Sequence, residues 1–125
     1  MRAKFSDFQK PGTVSVWVGD FRTEDDLDDY LSGEFESDFG FAIYDRAVRE
    51  IGVEPEPVSI EQLVAPFSRA DTFASGVVDA ARKVGRTSAS AMFIIYFFAF
   101  DPALAHVHPQ AQLTFIGAVP FPGFT

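Results

Sequence analysis

Phe93-Ile94-Ile95-Tyr96-Phe97-Phe98 is apolar at both alternating sets of positions: Ile94, Tyr96 and Phe98 make one set, and Phe93, Ile95 and Phe97 the other. Successive strand side chains point to opposite faces, so a run apolar in both sets needs cover on both sides, as a central strand has. The run lies in a longer apolar stretch, Ala89 to Phe100, which falls short of the roughly 18 to 20 residues a membrane-spanning helix requires. Asp101-Pro102 ends it. After a loop holding His106, His108 and Pro109, Gln112-Leu113-Thr114-Phe115-Ile116 reads as a returning strand, an antiparallel hairpin with a long loop.

Upstream, Thr13-Val14-Ser15-Val16-Trp17-Val18 alternates with period two behind a loop at Pro11-Gly12. Val14, Val16 and Val18 share one face, and Ser15 and Trp17 the other. Trp17 reads as core, covered by Phe5 and Phe8, with an exposed anchor as the alternative. Thr23-Glu24-Asp25-Asp26 then opens a helix, with Thr23 as cap and acids at the positive end of the helix dipole. At about 100° per residue, Leu27, Tyr30 and Leu31 share its inner face, while Asp25, Asp26, Asp28 and Asp29 spread over the outer one.

Phe35 and Phe39, four apart among acids, indicate a short helix turned inward. Phe41 to Tyr44 reads as extended, followed by a short helix through Val48 and a loop at Glu54-Pro55-Glu56-Pro57. Ser59-Ile60-Glu61-Gln62 has the form of a capping box before a short helix that Pro66 limits. The same signature at Ser68 to Asp71 precedes a helix whose inner face is Phe73, Val77, Val78, Ala81 and Val84, ending at Arg82, Lys83 and Gly85. The order strand, helices, strand, strand predicts an α+β fold: helices on a small, mainly antiparallel sheet of about three strands. All 125 residues fit a single domain, with 1–12 and 120–125 expected as loose termini.

Charge is the other organising feature. Asp20 to Glu61 holds 14 of the 18 acids and 3 of the 10 bases, eleven net negative charges, whereas the rest carries 4 acids against 7 bases. A local acidic patch points to a cationic partner, and a net charge of −8 argues against nucleic acid as a direct ligand. The candidate partner-binding residues are Asp25, Asp26, Asp28, Asp29, Glu34, Glu36 and Asp38, with Tyr30 as an anchor at the edge. The alternative for such a helix is an ordinary solvated face.

Little else carries chemistry. No cysteine is present, which removes disulfides and thiolate metal sites. His106 and His108, at alternate positions near Asp101, form the one candidate metal group, and with no further His they fall short of three ligands on a fixed scaffold. No metal, cofactor or catalytic residue is therefore expected. Carboxylates on a solvated helix face are poor acid-base catalysts, and phosphate-loop and serine-elbow motifs are missing. Arg82, Lys83 and Arg86 suit a helix end as well as an anion site. Met1 to Gly12 lacks the apolar run of a secretory signal, so the cytoplasm is the expected location.

Several segments together resemble the immunity protein 22 family of bacterial polymorphic toxin systems. They are Val14-Ser15-Val16-Trp17-Val18-Gly19-Asp20-Phe21, the acidic run into Leu27 and Tyr30-Leu31, Phe35 through Asp38-Phe39-Gly40, and Tyr44-Asp45. Leu63, Phe67-Ser68, Phe73, the long apolar strand and Phe115-Ile116-Gly117 follow in order. The resemblance covers roughly Thr13 to Val119. It implies a non-enzymatic inhibitor that neutralises a toxin of the same cell, chiefly a nuclease, and the acidic patch adds the expectation that it does so by stoichiometric blocking with that surface. Two departures are the short segment between Tyr30 and Phe35, where relatives often insert more acids, and Asp20, where Asn is common. The alternatives are a small metal- or ligand-binding protein using the His106/His108 loop and an acidic scaffold subunit.

Overall fold

The computed structural model describes residues 3–43 and 48–122. Among them β1 (Gln9–Gly19), β2 (Arg49–Ser59), β3 (Ser88–Phe98) and β4 (Leu113–Pro120) form one antiparallel sheet in the order β2-β3-β1-β4. Helices α1 (Glu24–Leu31), α2 (Glu34–Phe39), α3 (Ile60–Val64) and α4 (Ala74–Lys83) pack on it. The α+β fold expected from the sequence is present, with one strand more. β3 is interior, as its doubly apolar pattern requires.

Each sheet face carries its own core. Val14, Val16 and Val18 join Met92, Ile94, Ile116 and Val119 beneath α3 and α4 in a largely aliphatic layer. Trp17, Phe93 and Phe98 join Phe35, Phe39, Phe41 and Phe100 beneath α1 and α2 in an aromatic one. Trp17 is fully buried, ringed by Phe35, Phe39, Phe93, Phe100 and Phe115 at centroid distances of 5.1–5.9 Å. Phe5 and Phe8 belong to the same core, but pack on Phe98 and Phe41 rather than on the indole.

The fourth strand is β2, which replaces the loop expected at Glu54 to Pro57. Between the pairs Val53↔Ala91 and Val58↔Ala89, β2 advances five residues while β3 advances two. The prolines thus sit in a bulge of an edge strand, where a missing N–H breaks no ladder. Pro11-Gly12 behaves alike: it lies inside β1, between the pairs Gln9↔Phe98 and Val14↔Tyr96, with Gly12 at φ +73°. In both places, the punctuation marks a break in register rather than the end of a strand. Of the short helix expected through Val48, residues 44–47 lie outside the described residues.

Three further expectations change. β3 and β4 are not a hairpin, because β1 lies between them and residues 99–112 carry the chain to the far edge. The alternation in β3 reverses at Phe97, whose φ of +57° turns its ring toward the aliphatic layer and gives Phe98 to the aromatic one. A bulky residue in the left-handed region costs on the order of 1–2 kcal/mol. The ends of α4 also move: a 3₁₀ turn at Ala70–Thr72 precedes it, and Ser68 donates its N–H to Glu50 Oε1 instead of capping. Val84, 49 % exposed, lies beyond the helix, where Gly85 at φ +79° lets Arg86 N–H reach Ala81 O at 2.8 Å.

The termini expected as loose are ordered over their described parts. Phe5 and Phe8 are buried, and Phe121 is buried with its N–H donating to Gly12 O at 2.8 Å. Residues 1–2 and 123–125 lie outside the described residues. Two buried serines fasten the sheet. Ser15 Oγ donates to Phe98 O and accepts from Phe100 N–H, while Ser90 Oγ donates to Phe21 O and accepts from Phe21 N–H.

Candidate functional site

The acidic helix α1 is held by contacts its sequence specifies. Thr23 Oγ1 accepts from Asp26 N–H at 3.1 Å, fixing the first turn, and Glu24, Asp25 and Asp26 lie at the positive end of the helix. Leu27, Tyr30 and Leu31 are buried in the aromatic core, as their spacing predicts. Asp25, Asp26, Asp28 and Asp29 are exposed, and among the described residues none of them makes an ion pair. Asp28 and Asp29 lie toward the negative end of the dipole with no base in the last turn, an arrangement that helix stability does not favour.

Tyr30 does not serve as an anchor: it is 3 % exposed, and its ring packs on Phe21 and Phe35. Its hydroxyl donates to Asp38 Oδ2 at 2.6 Å, tying α1 to α2. Burial, and then the bond to Asp38, raise the phenol well above its ordinary range, so it stays a neutral donor. Asp38 is therefore structural as well as charged, and its carbonyl also accepts from His108 N–H at 2.7 Å. Glu34 Oε2 accepts from Gln112 Nε2 at 2.6 Å, which joins α2 to the approach of β4. Glu36 is half-buried on the same helix, which Gly40 ends at φ +82°.

The seven carboxylates thus divide by role. The carboxylates of Asp25, Asp26, Asp28 and Asp29 bond to no other side chain among the described residues, whereas Glu34 and Asp38 also brace the surface. Glu24 is exposed on α1 too and was not singled out from the sequence. The capping pattern that starts the helix was the signal for it. Asp20, set apart by its identity, accepts from Ser90 N–H at 3.3 Å and lies 3.9 Å from Arg86.

The histidine loop offers no comparable arrangement. Asp101 Oδ1 accepts from Ala103 N–H and caps a 3₁₀ turn at Pro102–Leu104. His108 Nδ1 accepts from Gln110 N–H at 3.1 Å. His106 borders one cavity with Ser37 and Gly40, and His108 another with Phe39 and Phe115. Among the described residues, no three His, Cys, Asp or Glu come close enough together to hold a metal ion.

An α+β scaffold presenting four exposed aspartates that form no ion pair among the described residues has the build of a binding protein. A family model described as Immunity protein 22 matches residues 14–122, and the chain belongs to that family. Membership assigns it a role in neutralising a cognate toxin. No curated protein and no solved structure matches it. No helix among the described residues is long and apolar enough to cross a membrane.

Proposed function

We propose that the protein neutralises a nuclease toxin in the cytoplasm by laying the carboxylate face of α1 and α2 against the basic surface that the toxin uses for nucleic acid. One observation carries this reading: Asp25, Asp26, Asp28 and Asp29 project from a firmly packed helix and form no ion pair among the described residues. A nuclease must present cationic groups to phosphates, so a fixed array of carboxylates competes for the same groups. The partner's cations supply the four aspartates with ion pairs that the described residues do not give them. Glu34, Glu36 and Asp38 extend the array over α2. Complementary fields also raise the rate of encounter, which matters when free toxin damages its producer.

Co-expression with the product of the neighbouring gene tests this. Cells making the neighbouring product should survive only when this protein is made with it, the two proteins should co-purify, and nucleic acid cleavage by the purified toxin should stop near one equivalent of inhibitor. Added nucleic acid should slow complex formation. A neighbouring toxin without nuclease activity, or inhibition indifferent to nucleic acid, would remove the nuclease part of the proposal.

A further inference from the structure

We propose that the connection from β3 to β4, with Leu104 as its anchor, forms the apolar centre of the contact with the cognate toxin, whose own apolar side chains seat beside that leucine. The proposal deepens the reading above and rests on its placement of the toxin over α2. Family membership supplies the partner. The distribution of charge supplies the place.

Residues 102–125 contain no Asp, Glu, Lys or Arg, the longest such stretch of the chain. Its first part is moored to the acidic helix α2. His108 N–H donates to Asp38 O at 2.7 Å, and Gln112 Nε2 to Glu34 Oε2 at 2.6 Å. A Cβ added at Gly40, where α2 ends, would lie 3.2 Å from His106 N, so helix and loop meet with no side chain between them. An uncharged strip therefore adjoins the carboxylate face. Protein interfaces share this plan: charged residues are depleted at the centre and gather at the rim, where they steer the encounter.

A lone exposed leucine is ordinary, and the setting of Leu104 is what singles it out. It is 64 % exposed, on a turn that backbone and side chain both hold. Asp101 Oδ1 accepts from Ala103 N–H at 2.9 Å, and Asp101 O from Leu104 N–H at 3.0 Å. Leu104 borders a hollow of about 580 Å³ that reaches Ser37 and Gly40 of α2. The same loop borders a second, of about 360 Å³, walled by Phe39, Val107, Pro109 and Phe115. No charged residue among the described ones lines either hollow. Val84, the other large apolar side chain exposed among the described residues, instead follows Arg82 and Lys83 and precedes Arg86. A knob already fixed by its turn, with sockets beside it, gives up little entropy on binding, and that favours a hot spot.

Association and dissociation rates, measured with the toxin that co-purifies with this protein, test the anchor. Leu104→Ala alters no charge, so it should leave association at low salt within about twofold while speeding dissociation roughly tenfold or more. Changing Asp25, Asp28 and Asp29 together to Asn should do the reverse, slowing association with little effect on dissociation. Val84→Ala should change neither rate. Leu104 is exposed, so its substitution should leave the urea midpoint in place. An unaltered dissociation rate for Leu104→Ala overturns the proposal, and the carboxylate reading survives that result if the aspartate variant still associates slowly. Faster dissociation of Leu104→Ala beside an unaffected aspartate variant supports the anchor and removes the carboxylates of α1 from the contact. Sedimentation of the free protein supplies the last outcome: a dimer that Leu104→Ala makes monomeric would assign the strip to a second copy of the chain and overturn the proposal.

Discussion

Single residues set the stability of the sheet out of proportion to their size. Ser15 accepts a bond from one side of the chain leaving β3 and donates to the other, so Ser15→Ala orphans a buried N–H and a buried carbonyl together. The expected loss is about 2 kcal/mol by urea denaturation. Ser88→Ala, at an exposed position of β3, should change stability by less than about 0.5 kcal/mol. Trp17 presents the opposite case. Its Nε1 has no acceptor among the described residues, and its burial among phenylalanines offsets that omission. Tyr30 and Tyr96 carry a pH dependence. Burial first, and then a carboxylate acceptor, Asp38 or Glu50, raise each phenol in the folded protein, while an unfolded tyrosine ionises near about 10. Below that pH both states keep these protons and the contribution is fully present. Above it, the unfolded chain releases protons that the fold retains, so stability should fall by up to about 1.4 kcal/mol per pH unit for each tyrosine. Urea titrations between pH 9 and 11 check this, and Tyr30→Phe should reduce the slope by one tyrosine's share.

At the scale of elements, legibility followed how local the determining interactions are. α1 was readable because Thr23, its acids and the spacing of Leu27, Tyr30 and Leu31 act within two turns of one another. Thr23→Ala should accordingly cost about 1 kcal/mol in global stability, measured by thermal unfolding. The doubly apolar pattern of β3 likewise announced an interior strand. β2 was missed because Pro55 and Pro57 normally end a strand, and only pairing with β3 shows that they occupy a bulge. The reversal at Phe97 leaves no local trace either, since a phenylalanine carries no preference for positive φ. Tyr30 illustrates the same limit within the candidate site. Its place on the inner face was legible, but its bond to Asp38 depends on how α2 folds back, and that bond makes Asp38 part of the scaffold.

Across the whole molecule, the two cores leave charge as the main difference between its sides. The aliphatic side carries α4, where Asp79 lies 3.4 Å from Arg82, whereas the aromatic side carries α1, whose aspartates form no ion pair among the described residues. Net charge alone would speed approach to a cation from any direction, but a localised patch also orients the approach. Changing Asp25, Asp28 and Asp29 together to Asn separates these effects. At about 0.01 M ionic strength, where the Debye length is near 30 Å, the variant should associate with toxin at least about tenfold more slowly. Near 1 M salt, with a Debye length of about 3 Å, the two rates should converge. Asp71→Asn with Asp79→Asn removes charge from the other side and should alter the rate little. The triple variant also relieves like-charge pairs at i,i+3 and i,i+4 spacing, each worth a few tenths of a kcal/mol. Its stability should therefore hold or rise, so unfolding would not account for slower association. Stopped-flow association across the salt series reads all of this, and equal low-salt rates for the triple variant and the unaltered protein would move the toxin contact away from α1.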